Sequence, residues 1–168
     1  IGEGESGCVL SPHIKCNITV PKTIKTVGKI FSDINEFNTE INIVNYIKRI
    51  DYQDKWTIKY YGNCEIPKND ILDVIKDIYT EDNDILHVCY RKINKKSKET
   101  HFKQIIYEYG GISLLEAINK YYFDELVNSF YKIIEGVYIF ALNGLYMNDI
   151  KAENLTYNRK RNKILFID

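Results

Sequence analysis

The sequence predicts an α+β protein in two parts: a small, mainly antiparallel β part carrying one helix, followed by a mainly helical part. Three observations predict this. Strand-like apolar runs at 26–31, 56–66 and 102–109 all fall before position 110. Residues 33–50 place apolar side chains every three or four positions, as an amphipathic helix requires. Residues 124–143 are long and apolar enough for one mostly buried helix. The 168 residues suffice for one domain or two small lobes with a sizeable core.

Composition narrows the function classes. The 23 basic and 23 acidic residues balance, which gives no electrostatic reason to expect nucleic acid or a membrane surface. No apolar run approaches a membrane span, and no signal peptide is visible. Cys8, Cys16, Cys64 and Cys89 form no C-x-x-C pair. Zinc is not expected, and free thiols in a reducing, intracellular (cytoplasmic) compartment are.

The chain opens on IGEGESGCV, which fits G-x-G-x-x-G-x-V through Gly2, Gly4, Gly7 and Val9. Glycines let backbone N–H groups approach phosphates because no Cβ intervenes. The same spacing opens dinucleotide-binding folds, where a helix follows the third glycine. Here the β-prone Cys8-Val9-Leu10 and nearby Pro12 favour a hairpin. A polar connection over 11–26 leads to the strand Thr26–Phe31, which holds Lys29 among apolar neighbours. A buried lysine there needs an anionic partner, whereas on an edge strand it would face water. Lys25 is the less apt substitute. In the helix over 33–50, Asp33 is the expected N-cap, with Glu36 three residues on. Glu40 sits at the margin of the apolar stripe.

The next segment reads as a strand over 56–66, a helix over 69–80 capped by Asn69 or Asp70, and a further strand over 85–93. Lys92 to Lys98 reads as a solvated turn. Residues 102–109, FKQIIYEY, are the strongest strand of the middle, ended by Gly110-Gly111. A short helix over 112–120 precedes the long one, for which Asp124 is the candidate N-cap and Gly144 the stop. After it, Asp149, Lys151 and Asn154 form D-x-K-x-x-N, and the apolar run Ile164-Leu165-Phe166-Ile167 ends on Asp168. Carboxylates and an amide oxygen are hard ligands for Mg²⁺, and a lysine can neutralise a phosphoryl group.

In this order, these pieces resemble the catalytic domain of eukaryotic-type Ser/Thr protein kinases over essentially the whole chain. The resemblance implies a kinase-like fold. Residues 1–107 would be the small lobe, with an insertion around 66–100. Residues 108–111 would be a hinge, and 112–168 the start of the helical lobe. It implies ATP and Mg²⁺ as cofactors and the Ser/Thr hydroxyl of a protein as acceptor. Gly2, Glu3, Gly4, Gly7 and Val9 would cover the phosphates. Lys29 would hold them, paired with Glu40 (or with Glu36, one turn earlier). Tyr107 would be the gatekeeper, with Glu108 and Tyr109 presenting backbone to adenine. Asp149 would be the base, Lys151 the γ-phosphate contact, and Asn154 and Asp168 the metal ligands.

The chain departs from the family at Met147 and Asn148, where His and Arg are usual, and no Phe-Gly follows Asp168. The missing arginine argues against control by an activation-loop phosphate. The missing histidine removes a packing partner of the metal-binding strand. Both ends look cut, so a fragment that is itself inactive is expected. Its residue usage, short Lys29–Glu40 gap and long insertion resemble kinase-like proteins of large DNA viruses, which would place it in host cytoplasm or virion. The alternatives are a pseudokinase scaffold and a small-molecule phosphotransferase of kinase-like fold; Lys151 favours a protein substrate. Exposed apolar surface is expected on the 124–143 helix.

Overall fold

The structure, a computed structural model, describes residues 2–4, 7–78, 84–95 and 98–167. The fold is α+β. The chain divides into two compact units, Ile1–Asn42 with Tyr60–Tyr109, and Ile43–Lys59 with Gly110–Asp168.

The first unit is built on a five-stranded antiparallel sheet in the order β1-β2-β3-β5-β4. Its strands are β1 (Gly2–Gly4), β2 (Gly7–Leu10), β3 (Thr26–Phe31), β4 (Tyr60–Pro67) and β5 (His101–Glu108). Strand alternation decides what covers each face. Ile30, Phe102, Ile106, Cys64 and Ile66 lie on one face. They pack with Ile71 and Ile75 of α2 (Lys68–Ile78) and with Cys89 and Ile93 of α3 (Asp84–Lys95). Lys29, Phe31 and Tyr107 have the opposite parity and meet α1 (Ile34–Ile50), where Phe31 and Phe37 make an edge-to-face pair at 5.6 Å. Covering both faces explains why β5 is buried at every position from Gln104 to Glu108, as a strand between two layers should be. Asp33 caps α1 as expected, its Oδ1 accepting from the N–H of Asn35 at 2.7 Å and of Glu36 at 3.3 Å.

Gln104, fully buried, fastens the connection before β3. Its Oε1 accepts from Ile14 N–H and its Nε2 donates to Ile14 O, both at 2.9 Å. A Cβ at position 28 would collide with that Oε1, which is why β3 carries Gly28 in its interior.

Two expectations are corrected here. Residues 85–93 are not a strand but part of helix α3, which continues through Lys92 to Lys95. Cys89 and Ile93, four positions apart on one helical face, pack into the core over the sheet. The cysteines are not free: Cys8 is disulfide-bonded to Cys89 and Cys16 to Cys64. Cys8–Cys89 ties β2 to α3 across 81 positions, so most of its effect falls on the unfolded chain. Replacing Cys8 and Cys89 together by alanine should therefore cost about 2–4 kcal/mol. Urea unfolding followed by far-ultraviolet circular dichroism checks this, and an unmoved midpoint would contradict it.

In the second unit β6 (Ile112–Ser113), β7 (Leu155–Asn158) and β8 (Lys163–Phe166) form an antiparallel sheet. Two helices accompany it. α4 (Leu114–Lys120) is capped by Ser113, whose Oγ accepts from Glu116 N–H at 3.1 Å. α5 (Phe123–Leu142) is capped at its start by Tyr122 with no side-chain bond, so Asp124 lies in the first turn rather than at the cap. There its charge still suits the positive end of the helix dipole. Gly144, with φ of +77°, follows the helix as a left-handed stop. Leu126 and Phe140 of α5 join Trp56, Leu155, Tyr157 and Phe166 in the core. The helix is less buried than its composition suggests: Val127, Tyr131, Ile134, Tyr138 and Leu142 form an exposed stripe. Gly111, with φ of +119°, starts β6 where a Cβ would strike the Tyr157 carbonyl. Among the described residues no helix is long and apolar enough to cross a membrane.

Candidate functional site

The glycine run forms the β1–β2 hairpin, with Gly2 opposite Val9, Glu3 opposite Cys8 and Gly4 opposite Gly7. The chain thus takes the hairpin alternative and not the helix of a dinucleotide fold. Val9 pairs in turn with Lys29 of β3, so the glycine hairpin is the strand neighbour of the lysine.

Lys29 is 8% exposed, and its Nζ lies 2.6 Å from Oε2 of Glu40 on α1. The lysine's place inside the sheet demands such a partner. Glu40, rather than Glu36, supplies it. The other oxygen of that carboxylate, Oε1, accepts from the Tyr107 hydroxyl at 2.9 Å. Lys29 and Tyr107 reach one carboxylate because they share a sheet face: β3 and β5 pair Lys29 with Ile105 and Val27 with Tyr107. The Lys29 ammonium also stands 5.5 Å from the centre of the Phe31 ring. At the end of β5, Glu108 is buried opposite Thr26, and Tyr109 N–H donates to Lys25 O at 2.9 Å. The amide of Tyr109 is thus engaged within the fold.

In the second unit D-x-K-x-x-N closes on itself. Asp149 Oδ2 accepts from Lys151 Nζ at 2.8 Å and from Asn154 Nδ2 at 2.9 Å. Asn154 Nδ2 also donates to the Asp149 carbonyl at 3.0 Å. The turn that makes this possible is the short 3-10 segment Ala152–Asn154, which feeds directly into β7. The Lys151 ammonium, ahead of the Asn154 amide, holds the Asp149 carboxyl below its ordinary range. Asp149 is exposed and anionic at neutral pH. Asn154 O accepts from Ile167 N–H at 3.1 Å, so the loop is stitched to the chain just before Asp168. Asp168 itself lies outside the described residues. Met147 packs against the core of this unit, occupying with an apolar side chain a place where the resemblance expects an imidazole.

The donor set suits a hard cation. With Nδ2 of Asn154 given to Asp149, its Oδ1 is the atom with which it would ligate Mg²⁺. Among the described residues no group of three or more His, Cys, Asp or Glu is gathered for a metal.

The bond from Tyr107 to Glu40 was not legible in the sequence, since 67 positions separate the two. A strand tyrosine two residues on from the position opposite Lys29 is a signal only once the register is known. No protein-family model and no curated protein matches the chain.

Proposed function

We propose that the chain carries a kinase-like phosphotransfer site: with ATP and Mg²⁺, it directs the γ-phosphoryl group to a Ser or Thr hydroxyl of a protein. The observation that carries the reading is the closed cluster of Asp149, Lys151 and Asn154, in which acid, cation and amide already touch. The Lys29–Glu40 pair of the first unit supports it independently.

The roles follow from the chemistry of each group. The backbone of Gly2, Gly4 and Gly7 covers phosphate oxygens, and Lys29, held by Glu40, offers them its ammonium. Glu108 and Tyr109 present backbone to the base. Asp149 accepts a hydrogen bond from the acceptor hydroxyl and orients it. Lys151, already 2.8 Å from that carboxylate, balances charge on the transferring group. Asn154 and Asp168 would hold Mg²⁺, which would supply neutralisation of the phosphate charge. Catalysis of this kind is mostly positioning and charge stabilisation.

The test is Mg²⁺-dependent ATP binding by calorimetry, with labelled γ-phosphate transfer to a basic protein beside it. Lys29→Met should weaken ATP binding by about tenfold to a hundredfold, the loss of one charge-assisted phosphate contact in a partly desolvated site. Binding that weakens without any transfer by wild type would point to the pseudokinase alternative. No binding at all would remove the nucleotide reading.

A further inference from the structure

We propose that Tyr107 is a positioning residue: its hydroxyl holds one oxygen of Glu40 so that the other stays on Lys29. The inference deepens the phosphotransfer reading and rests on it for the ligand, but the clamp itself is a property of the first unit.

Glu40 reaches the sheet from α1 through a side chain with three rotatable bonds. A carboxylate largely withdrawn from water, like that of Glu40 at 18% exposed, is held in place best when both oxygens are satisfied, and otherwise turns toward solvent. Here the division is complete: Oε2 takes the Lys29 ammonium at 2.6 Å and Oε1 the Tyr107 hydroxyl at 2.9 Å. Glu40 is therefore held at two points on two neighbouring strands, β3 and β5. A carboxylate held at one point can swing about the Lys29 contact, and one held at two cannot. Tyr107 is itself placed by burial (8% exposed) and by its ring, 6.0 Å from that of Tyr60. The tyrosine fixes the carboxylate, the carboxylate fixes the ammonium, and the ammonium stands ready for an anionic phosphate. Ring bulk and hydroxyl thus have separate tasks, and only the hydroxyl acts through Glu40.

Tyr107→Phe separates them, because it keeps the ring and its contact with Tyr60. Wild type, Tyr107→Phe, Glu40→Gln and the double variant would be compared in two measurements. The first uses no nucleotide: limiting acetic anhydride, with Lys29 acetylation followed by peptide mass spectrometry. The second is Mg·ATP affinity by calorimetry. Tyr107→Phe should speed Lys29 acetylation several-fold and weaken Mg·ATP by about tenfold, the size of one hydrogen bond to a charged group. In the Glu40→Gln background the same change should have little further effect on either, because the tyrosine acts through that carboxylate. A merely structural tyrosine would instead give additive effects. Faster acetylation in a protein whose wild type binds no Mg·ATP would keep the clamp and remove the phosphotransfer reading. Unchanged acetylation in Tyr107→Phe, or fully additive effects in the double variant, would overturn the proposal.

Discussion

Asp149→Asn should lower phosphoryl transfer by about a thousandfold, within the range of removing a positioned base, and leave Mg·ATP affinity close to wild type. Asparagine keeps the shape of the side chain and an oxygen that can accept from Lys151 or Asn154, which now bond the carboxylate at 2.8 and 2.9 Å. What disappears is the negative charge that, in the proposed reaction, draws the acceptor hydroxyl and takes its proton. The loss should therefore fall on kcat, with the KM for ATP nearly unmoved. Asp149 is exposed, so the unfolding midpoint should stay where it is.

The pH dependence follows from the same contacts. Lys151, then Asn154, hold the Asp149 carboxyl below its ordinary range. A depressed carboxyl stays ionised through mild acid and loses its charge only as pH falls through the lowered value. The acid limb of wild-type transfer that Asp149 sets should thus lie below the usual carboxylate range, and Lys151→Met should move it upward. Rates measured from neutral pH downward with both variants decide the matter. Transfer by Asp149→Asn at the wild-type rate would remove Asp149 from the reaction. Loss of ATP binding together with transfer would assign it to nucleotide binding instead.

Features carried by local pattern could be read from the sequence. Strand Thr26–Phe31, helix α1 with its Asp33 cap, and the long α5 are each declared within a few residues by alternation, by the 3.6-residue period or by a cap. The contact of Asp149 with Lys151 and Asn154 is of the same kind, since a single turn brings the three together. Features set by tertiary contact could not be read so. The run ILHVCYRKI mixes β-formers with a helical spacing, and the docking of Cys89 and Ile93 on the sheet decides in favour of helix α3. Cys8 meets Cys89 because α3 docks on β2, and nothing near either cysteine announces the other. Gln104 looks like a polar interruption of a strand until Ile14 is placed beside it. Asp51 is the largest omission: in DYQDKW it reads as one acid of a polar turn.

Replacing Asp51 with alanine should destabilise the second unit by about 3–5 kcal/mol, the cost of leaving several buried donors without their acceptor. Asp51 is 2% exposed and follows α1, its own N–H donating to Ile47 O at 2.7 Å. Its carboxylate then gathers the chain that follows. Oδ1 accepts from Lys55 N–H at 2.7 Å. Oδ2 accepts from the N–H groups of Trp56 and Thr57, both at 2.9 Å, and from the Thr57 hydroxyl at 3.0 Å. Alanine would leave three backbone donors and a hydroxyl without this acceptor, in a turn where Asp54 already holds a φ of +51°. The damage would spread, because this turn delivers Trp56 to the core and to β8. The Trp56 carbonyl accepts from Phe166 N–H at 2.8 Å, and Ile58 N–H donates to the Phe166 carbonyl at 3.3 Å. The Trp56 ring lies 6.0 Å from Phe140, and its Nε1 donates to Glu135 at 2.9 Å. Since Trp56 is the chain's single tryptophan, its fluorescence during urea unfolding reports this unit directly. Against a typical domain stability of about 5–15 kcal/mol, such a loss brings the unit near its unfolding threshold. Asp51→Asn should cost about half as much: one oxygen remains to accept, but an amide N–H₂ must face donors where the second oxygen stood. A shift below about 1 kcal/mol in Asp51→Ala would mean that water takes over the three N–H groups. The turn would then be held by Trp56 packing, with the carboxylate a consequence of that packing and not its cause.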